Sequence, residues 1–142
     1  MIARGAADLV YRRIEPHLSE YMGEVFEEIC KQYLWKLLLS GQSPVEFHSL
    51  GRWWGNDSRR RSQTEIDIMG EQDKNTVLFA ECKWTNEKVE LSVLETLIER
   101  SDLFPYKEKH YFLFAKSGFT KGCEEKANEL GNVSLVTYGE ID

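Results

Sequence analysis

Asp67, Glu81 and Lys83 stand in two short runs, TEIDIM and TVLFAECKW, whose other members are mostly apolar enough for a buried sheet. Side chains alternate faces along a strand, so Glu65 and Asp67 share one face of the first run, while Glu81 and Lys83 share one face of the second with Val77 and Phe79. The opposite face then takes Ile66, Ile68, Leu78, Ala80, Cys82 and Trp84. If odd positions meet across the pair, Asp67 lies beside Phe79 and diagonal to Glu81, about 7 to 8 Å away, a gap that a shared cation can bridge. Two carboxylates held close at the edge of a low-dielectric sheet repel, and one takes up a proton unless a cation sits between them. A hard divalent ion is the natural partner: Mg2+, with Mn2+ as a substitute, binds through one or two carboxylates and keeps waters for phosphate oxygens. Lys83 points the same way, where an ammonium can orient an attacking water or stabilise charge developing on a phosphate.

The elements around these runs follow from periodicity. From Glu20 to about Leu39, apolar residues recur at three and four (Val25, Phe26, Ile29, Cys30, Tyr33, Leu34, Leu37, Leu38), the stripe of an amphipathic helix ending before Gly41. Residues 1–18 show no clean period and carry Gly5 and Pro16, so they read as a lead-in, a linker from an upstream domain or a short extra helix; residues 19–142 form the domain. Val45 to Trp54 reads as a strand, followed by a polar loop, GNDSRRRSQ. Thr64 to Met69 and Thr76 to Trp84 form a hairpin about the turn-rich GEQDKN. Ser92 with Glu95 is a capping box for a helix that stops before Pro105. HYFLFA, His110 to Ala115, is apolar throughout and reads as a central strand covered on both faces. A helix from Thr120 to Leu130, closed by Gly131, and a strand from Val133 to Tyr138 complete an α-β-β-β-α-β-α-β order. This is an α/β fold: an antiparallel start continued by crossovers into parallel strands, in a mixed sheet flanked by helices on both faces.

Composition limits the function classes. A chain of 142 residues, 42% hydrophobic and 30% charged, supports one domain with a real core. Its net charge of -6 gives no global attraction for phosphate backbones, so any basic surface must be local. No apolar run approaches the roughly 20 residues of a membrane span, and the start lacks a signal-peptide core, which points to the cytoplasm. Cys30, Cys82 and Cys123 match neither a disulfide framework nor a zinc-ligand pair and read as buried thiols.

Asp67 followed by Glu81-Cys82-Lys83, on strands in this order, resembles the D...(D/E)-x-K signature of the PD-(D/E)XK nuclease superfamily, which includes restriction endonucleases and Holliday-junction resolvases. The order αβββαβ resembles that superfamily's restriction-endonuclease-like core. More closely, MGEVFEEICKQYL, GRWWG, TEIDIM and ECKW in succession resemble the C-terminal domain of undefined function attached to archaeal-type DEXX-box ATPases, over about residues 15–140. The Pro that names the superfamily is absent ahead of Asp67, and the chain has no ATP-binding loop. The resemblance implies a further acid on the first helix, for which Glu27 in Gly23-Glu24-Val25-Phe26-Glu27 matches best, and a polar residue on the helix after Lys83, for which Ser92 and Arg100 are candidates.

Arg52, Trp53 and Trp54, then Arg59, Arg60 and Arg61, mix guanidiniums and indoles in a way that suits phosphate contacts and base stacking, with Arg52, Trp53 and the three loop arginines as candidate nucleic-acid contacts. The leading expectation is a Mg2+-dependent DNA endonuclease, or the nuclease-like domain of an ATPase. Asp67, Glu81 and Glu27 would be ligands, with Glu27 a supporting ligand or water positioner, and Lys83 would orient the nucleophile. The alternative is a non-catalytic DNA-binding or protein-interaction module that keeps the fold. DNA and an upstream or separate ATPase domain are the expected partners, a homodimer is left open, and no membrane is involved.

Overall fold

The computed structural model describes residues 4–57 and 62–141. Helix α1 (Arg4–Leu39) precedes strands β1 (Gly51–Asp57), β2 (Ser62–Glu71) and β3 (Thr76–Lys83), followed by α2 (Leu91–Ser101), β4 (Glu108–Ala115), α3 (Lys121–Leu130), β5 (Val133–Thr137) and a short α4 (Tyr138–Ile141). The sheet runs β1-β2-β3-β4-β5. Its first three strands are antiparallel neighbours and its last three parallel ones, the mixed α/β architecture expected from the element order.

Helix α1 covers one face. Phe26, Cys30 and Leu34 pack there on Ile68, Leu78, Ala80, Phe112 and Phe114. Helices α2 and α3 cover the other face, where Leu94, Leu97, Cys123 and Ala127 meet Ile66, Val77, Phe79, Tyr111 and Leu113. The run HYFLFA is buried on both sides as expected, but β3 rather than β4 is the middle strand.

Several boundaries differ from the sequence reading. Helix α1 already begins at Arg4, so the lead-in and the domain share one continuous helix. Val45 and Phe47 are buried against the α1 face without forming a strand, and β1 starts only at Gly51. That strand then extends through Asn56 and Asp57, because an edge strand has one open side on which polar residues are tolerated. The capping box at Ser92 and Glu95 does not form. Glu90 is the N-cap and makes no side-chain cap bond. The entry to α2 is fixed instead by Val89, which bridges to Phe119, its N–H donating to Gly118 O and its carbonyl accepting from Thr120 N. Gly131 does close α3, at φ 77°. Cys30 and Cys123 are buried, while Cys82 is half-buried.

Two irregularities shape the middle of the sheet. Gly51 pairs with Met69 and Trp53 with Ile66, so two residues of β2, Asp67 and Ile68, stand opposite one residue of β1, Arg52. This is a β-bulge, and it turns the strand. Ile66 therefore packs on the α2 face and Ile68 on the α1 face, where unbroken alternation had put both on one side. Strands β2 and β3 pair only from Ile68 with Ala80 to Glu71 with Val77, and beyond that point they part. The register also differs from expectation: Phe79 faces Met69, not Asp67.

At the far end of β2, residues 47–50 pass closely over Gly70. A Cβ there would lie 2.7 Å from Leu50 Cδ2, 3.0 Å from Phe47 Cβ and 3.2 Å from Ser49 O. Gly70→Ala is expected to cost about 1 to 3 kcal/mol of stability, the usual range for overpacking. Urea unfolding with an unshifted midpoint would show that this segment lifts freely off the strand.

Candidate active site

The bulge and the fork make the site. Where the β2–β3 ladder ends, the Asp67 carboxylate takes the place of the next backbone partner, and Oδ2 accepts the Cys82 N–H at 3.0 Å. From that gap Asp67 reaches both faces of the sheet. On the α2 side its carboxylate shares a hydrogen bond with Glu81, and on the α1 side it lies close enough to Glu27 for the two charges to repel. Asp67, Glu81 and Glu27, which are far apart in sequence, are thus brought together.

Glu81 is only 5% exposed. Burial, the neighbouring Asp67 charge and the hydrogen bond between the two carboxyls push its pKa up to about 8, against the pull of Lys83 and Arg100. Glu27 is also raised, by burial first and Asp67 second, while Arg52 and Lys31 work the other way. The Cys82 thiol is raised by its hydrogen bond to the Cys30 thiol and by burial, so both sulfurs are packing groups beside the acids.

Lys83 lies on the same strand as Glu81 and lines the same cavity, of about 130 Å3, with Ser92, Thr96 and Arg100 from α2. Arg100 Nη1 donates to the Glu65 carbonyl at 3.0 Å and approaches Glu81 Oε1 at 3.5 Å. It ties the helix to both strands of the fork. In sequence Arg100 follows Leu97 at helical spacing, so its position on the inner rim of α2 could be read, but its partners could not.

Arg52 sits on the α1 side, opposite the bulge. Its guanidinium is bonded to Glu27 Oε2 through Nη2, and its Nη1 lies 3.3 Å from Glu65 Oε2 and 3.7 Å from Asp67 Oδ1. It also lies 5.9 Å from the centre of the Trp54 ring. Trp54 is 59% exposed, whereas Trp53 lies across Gly55 and meets Phe104 at 4.8 Å. The outward-facing indole beside Arg52 is therefore Trp54. Arg59, Arg60 and Arg61 lie outside the described residues.

Among the described residues, no three His, Cys, Asp or Glu groups are arranged to enclose a metal ion. The donor set is the Asp67–Glu81 pair, and its chemistry fits a divalent ion. Burial raises the Glu81 carboxyl first and the neighbouring Asp67 charge second, and a cation between the two carboxyls would relieve that second part. Two carboxylates are also the number Mg2+ uses when water and substrate oxygens complete its shell.

The family model for archaeal and bacterial proteins of unknown function, DUF234, matches residues 1–94, more than half of the chain. The chain belongs to that family. An uncharacterized protein of Methanocaldococcus jannaschii is 31% identical to this DUF234 member over 87 residues, which are 61% of the chain but only 18% of that relative's length. Among solved structures, the MspJI restriction endonuclease in complex with a 27-mer oligonucleotide superposes on 99% of the chain and 31% of its own, at a TM-score of 0.52 and 12% identity. A repair endonuclease from Pyrococcus abyssi covers 63% of the chain and 38% of its own, at a TM-score of 0.41 and 17% identity. What the DUF234 member shares with MspJI is the fold, a mixed five-stranded sheet between helices. No helix among its described residues is long and apolar enough to cross a membrane.

Proposed function

We propose that this DUF234 domain is a metal-dependent DNA endonuclease of the PD-(D/E)XK type. The observation that carries the reading is the meeting of Asp67 and Glu81 at a strand fork, with Lys83 two residues beyond Glu81 on the same strand. Asp67 and Glu81 would hold Mg2+ or Mn2+, which would supply Lewis-acid stabilisation of a phosphodiester oxygen and of an attacking water. The chain's own residues do the rest. Asp67 is oriented by the Cys82 N–H, so its other oxygen has a fixed direction before any ligand arrives. Lys83, beside Glu81 in the cavity, places an ammonium where charge develops on the phosphate or where water is aligned. Glu27 supplies a further acceptor for that water or a supporting ligand, and Arg100 keeps Glu81 in place. Arg52, with the exposed Trp54, suits a phosphate and an unstacked base on the α1 side. The ATPase-attached family that the sequence resembles supports a role as the nuclease-like domain of an ATPase, and the chain matches only a part of a longer relative.

A second reading, a DNA-binding module without catalysis, is favoured by one observation: Arg52 already neutralises part of the acidic cluster. Cleavage of labelled single-stranded, duplex and branched DNA with Mg2+ or Mn2+ separates the two. The endonuclease reading expects products with wild type and none with Asp67→Ala. DNA binding without cleavage on every form would leave the binding module.

A further inference from the structure

The Arg52 guanidinium stands where three carboxylates converge, and this position has a consequence for any ion that enters. Its five N–H groups form a planar fork, and the fork is engaged by Glu27 Oε2 and Glu65 Oε2, with Asp67 Oδ1 at 3.7 Å. That last distance is too long for a hydrogen bond, so Asp67 is the loosest of the three partners. Its other oxygen is occupied by the Cys82 N–H. Oδ1 is the oxygen that faces Arg52, so an ion that reaches Asp67 from the α1 side meets it there.

We propose that Arg52 is a positioning residue: a resident cation that orders Glu27 and Asp67 for a metal ion and is exchanged for that ion when it binds. The inference rests on the metal reading above and concerns what the chain itself does. Metal–oxygen distances are about 2.1 Å for Mg2+, so an ion on Oδ1 and the guanidinium in its present place would crowd two positive groups around one oxygen. A doubly charged ion outcompetes a singly charged one for the pair, and Arg52 gives up Asp67 first and Glu27 next. It has a place to go. The Trp54 ring is already 5.9 Å from the guanidinium carbon, on a groove of about 420 Å3 also lined by Glu24, Glu28 and Lys31. A guanidinium resting on that indole stays charged and faces outward, toward a phosphate brought in with the substrate. Ion uptake and the presentation of Arg52 are then one event.

Binding of Mg2+ by calorimetry and the arginine side-chain 15N signals of wild type, with Arg52 assigned by its loss in Arg52→Gln, test this without any cleavage assay. Exchange expects Arg52→Gln to bind Mg2+ about tenfold more tightly, since no resident cation has to be displaced. It also expects the wild-type Arg52 guanidinium signal to be distinct and slowly rotating without metal, and to shift and average at saturation. An Arg52 signal that is unchanged at saturating Mg2+ overturns the inference and leaves the metal reading standing. So does an Arg52→Gln that binds equally or more weakly. If neither protein binds Mg2+ or Mn2+, the metal reading falls and the exchange falls with it. Should Arg52→Gln fail to fold, the wild-type guanidinium signal, assigned by through-bond correlation, decides alone.

Discussion

Glu81→Gln should make the metal-free protein more stable than wild type at pH 8, with the gain disappearing toward pH 4.5. The Glu81 carboxyl holds its proton to about pH 8 in the fold, against 4.5 for an unperturbed glutamate. Between those values the native state binds a proton that the unfolded chain releases, so wild-type stability falls as pH rises. The slope is about 1.4 kcal/mol per pH unit within the window, and the loss is complete above the folded value. A glutamine carries no such proton, and its amide can donate to Asp67 as the protonated carboxyl does. Denaturant unfolding in a chelator from pH 4 to 9 reads the effect. Parallel curves for the two proteins would mean that Glu81 is ionised in the fold, and with it the close carboxyl pair would be lost as an explanation.

Adding Mg2+ or Mn2+ should reverse that penalty in wild type. An ion bound only by the native state stabilises by about 2.7 kcal/mol at a hundredfold excess over its dissociation constant. Asp67→Ala and Glu81→Ala should each abolish the gain, because each removes half of the donor pair. Lys83→Ala is the informative contrast. It takes away a positive charge beside Glu81 without removing a ligand, so metal stabilisation should persist or strengthen. Cleavage should nevertheless fall by about a hundredfold or more, the cost of losing a group that acts in the transition state. Melts with titrated metal, run beside cleavage of labelled DNA, give both readouts. A Lys83→Ala protein that cuts at the wild-type rate would remove Lys83 from the chemistry, and a wild type indifferent to both metals would remove the metal site.

Much of the scaffold was legible because periodicity reports burial directly. The helix through Phe26, Cys30 and Leu34, the hairpin about residues 72–75 and the two-sided burial of HYFLFA all follow from apolar spacing. The nearness of Asp67 and Glu81 is legible from parity and that of Glu27 only from a family pattern, although among the described residues these acids do not form a group that encloses a metal ion. The details that failed are those set by tertiary context. A bulge carries no sequence mark in TEIDIM, so alternation alone puts Ile66 on the wrong face, and the β2–β3 register, two residues from expectation, is set by the turn that Gln72 N–H closes on Thr76 O. Ser92 lost its capping role because pairing at Val89 already fixes the helix entry. Which of two adjacent indoles turns outward depends on Gly55, whose missing Cβ makes room for the Trp53 ring. The partners of Arg52 were invisible for the same reason: they come from α1 and β2, and only the folded sheet brings those elements to one guanidinium.

The bulge also gives the domain a length rule. Variation in chain length is usually absorbed by loops, and a strand that gains or loses a residue commonly slides along its neighbour. Here the count between Ile66 and Met69 sets which way Asp67 points, since Trp53 and Gly51 anchor those two residues on the edge strand. Removing Ile68 would restore a regular ladder, and one of two things would follow. Either Ile66 leaves its place against the α2 layer, or the acid turns away from the gap beside Glu81. A descendant of this domain could thus keep every acidic residue and still lose the site through a single deleted codon. Where such domains are compared, the spacing from Ile66 to Met69 is as informative as the identity of Asp67 between them.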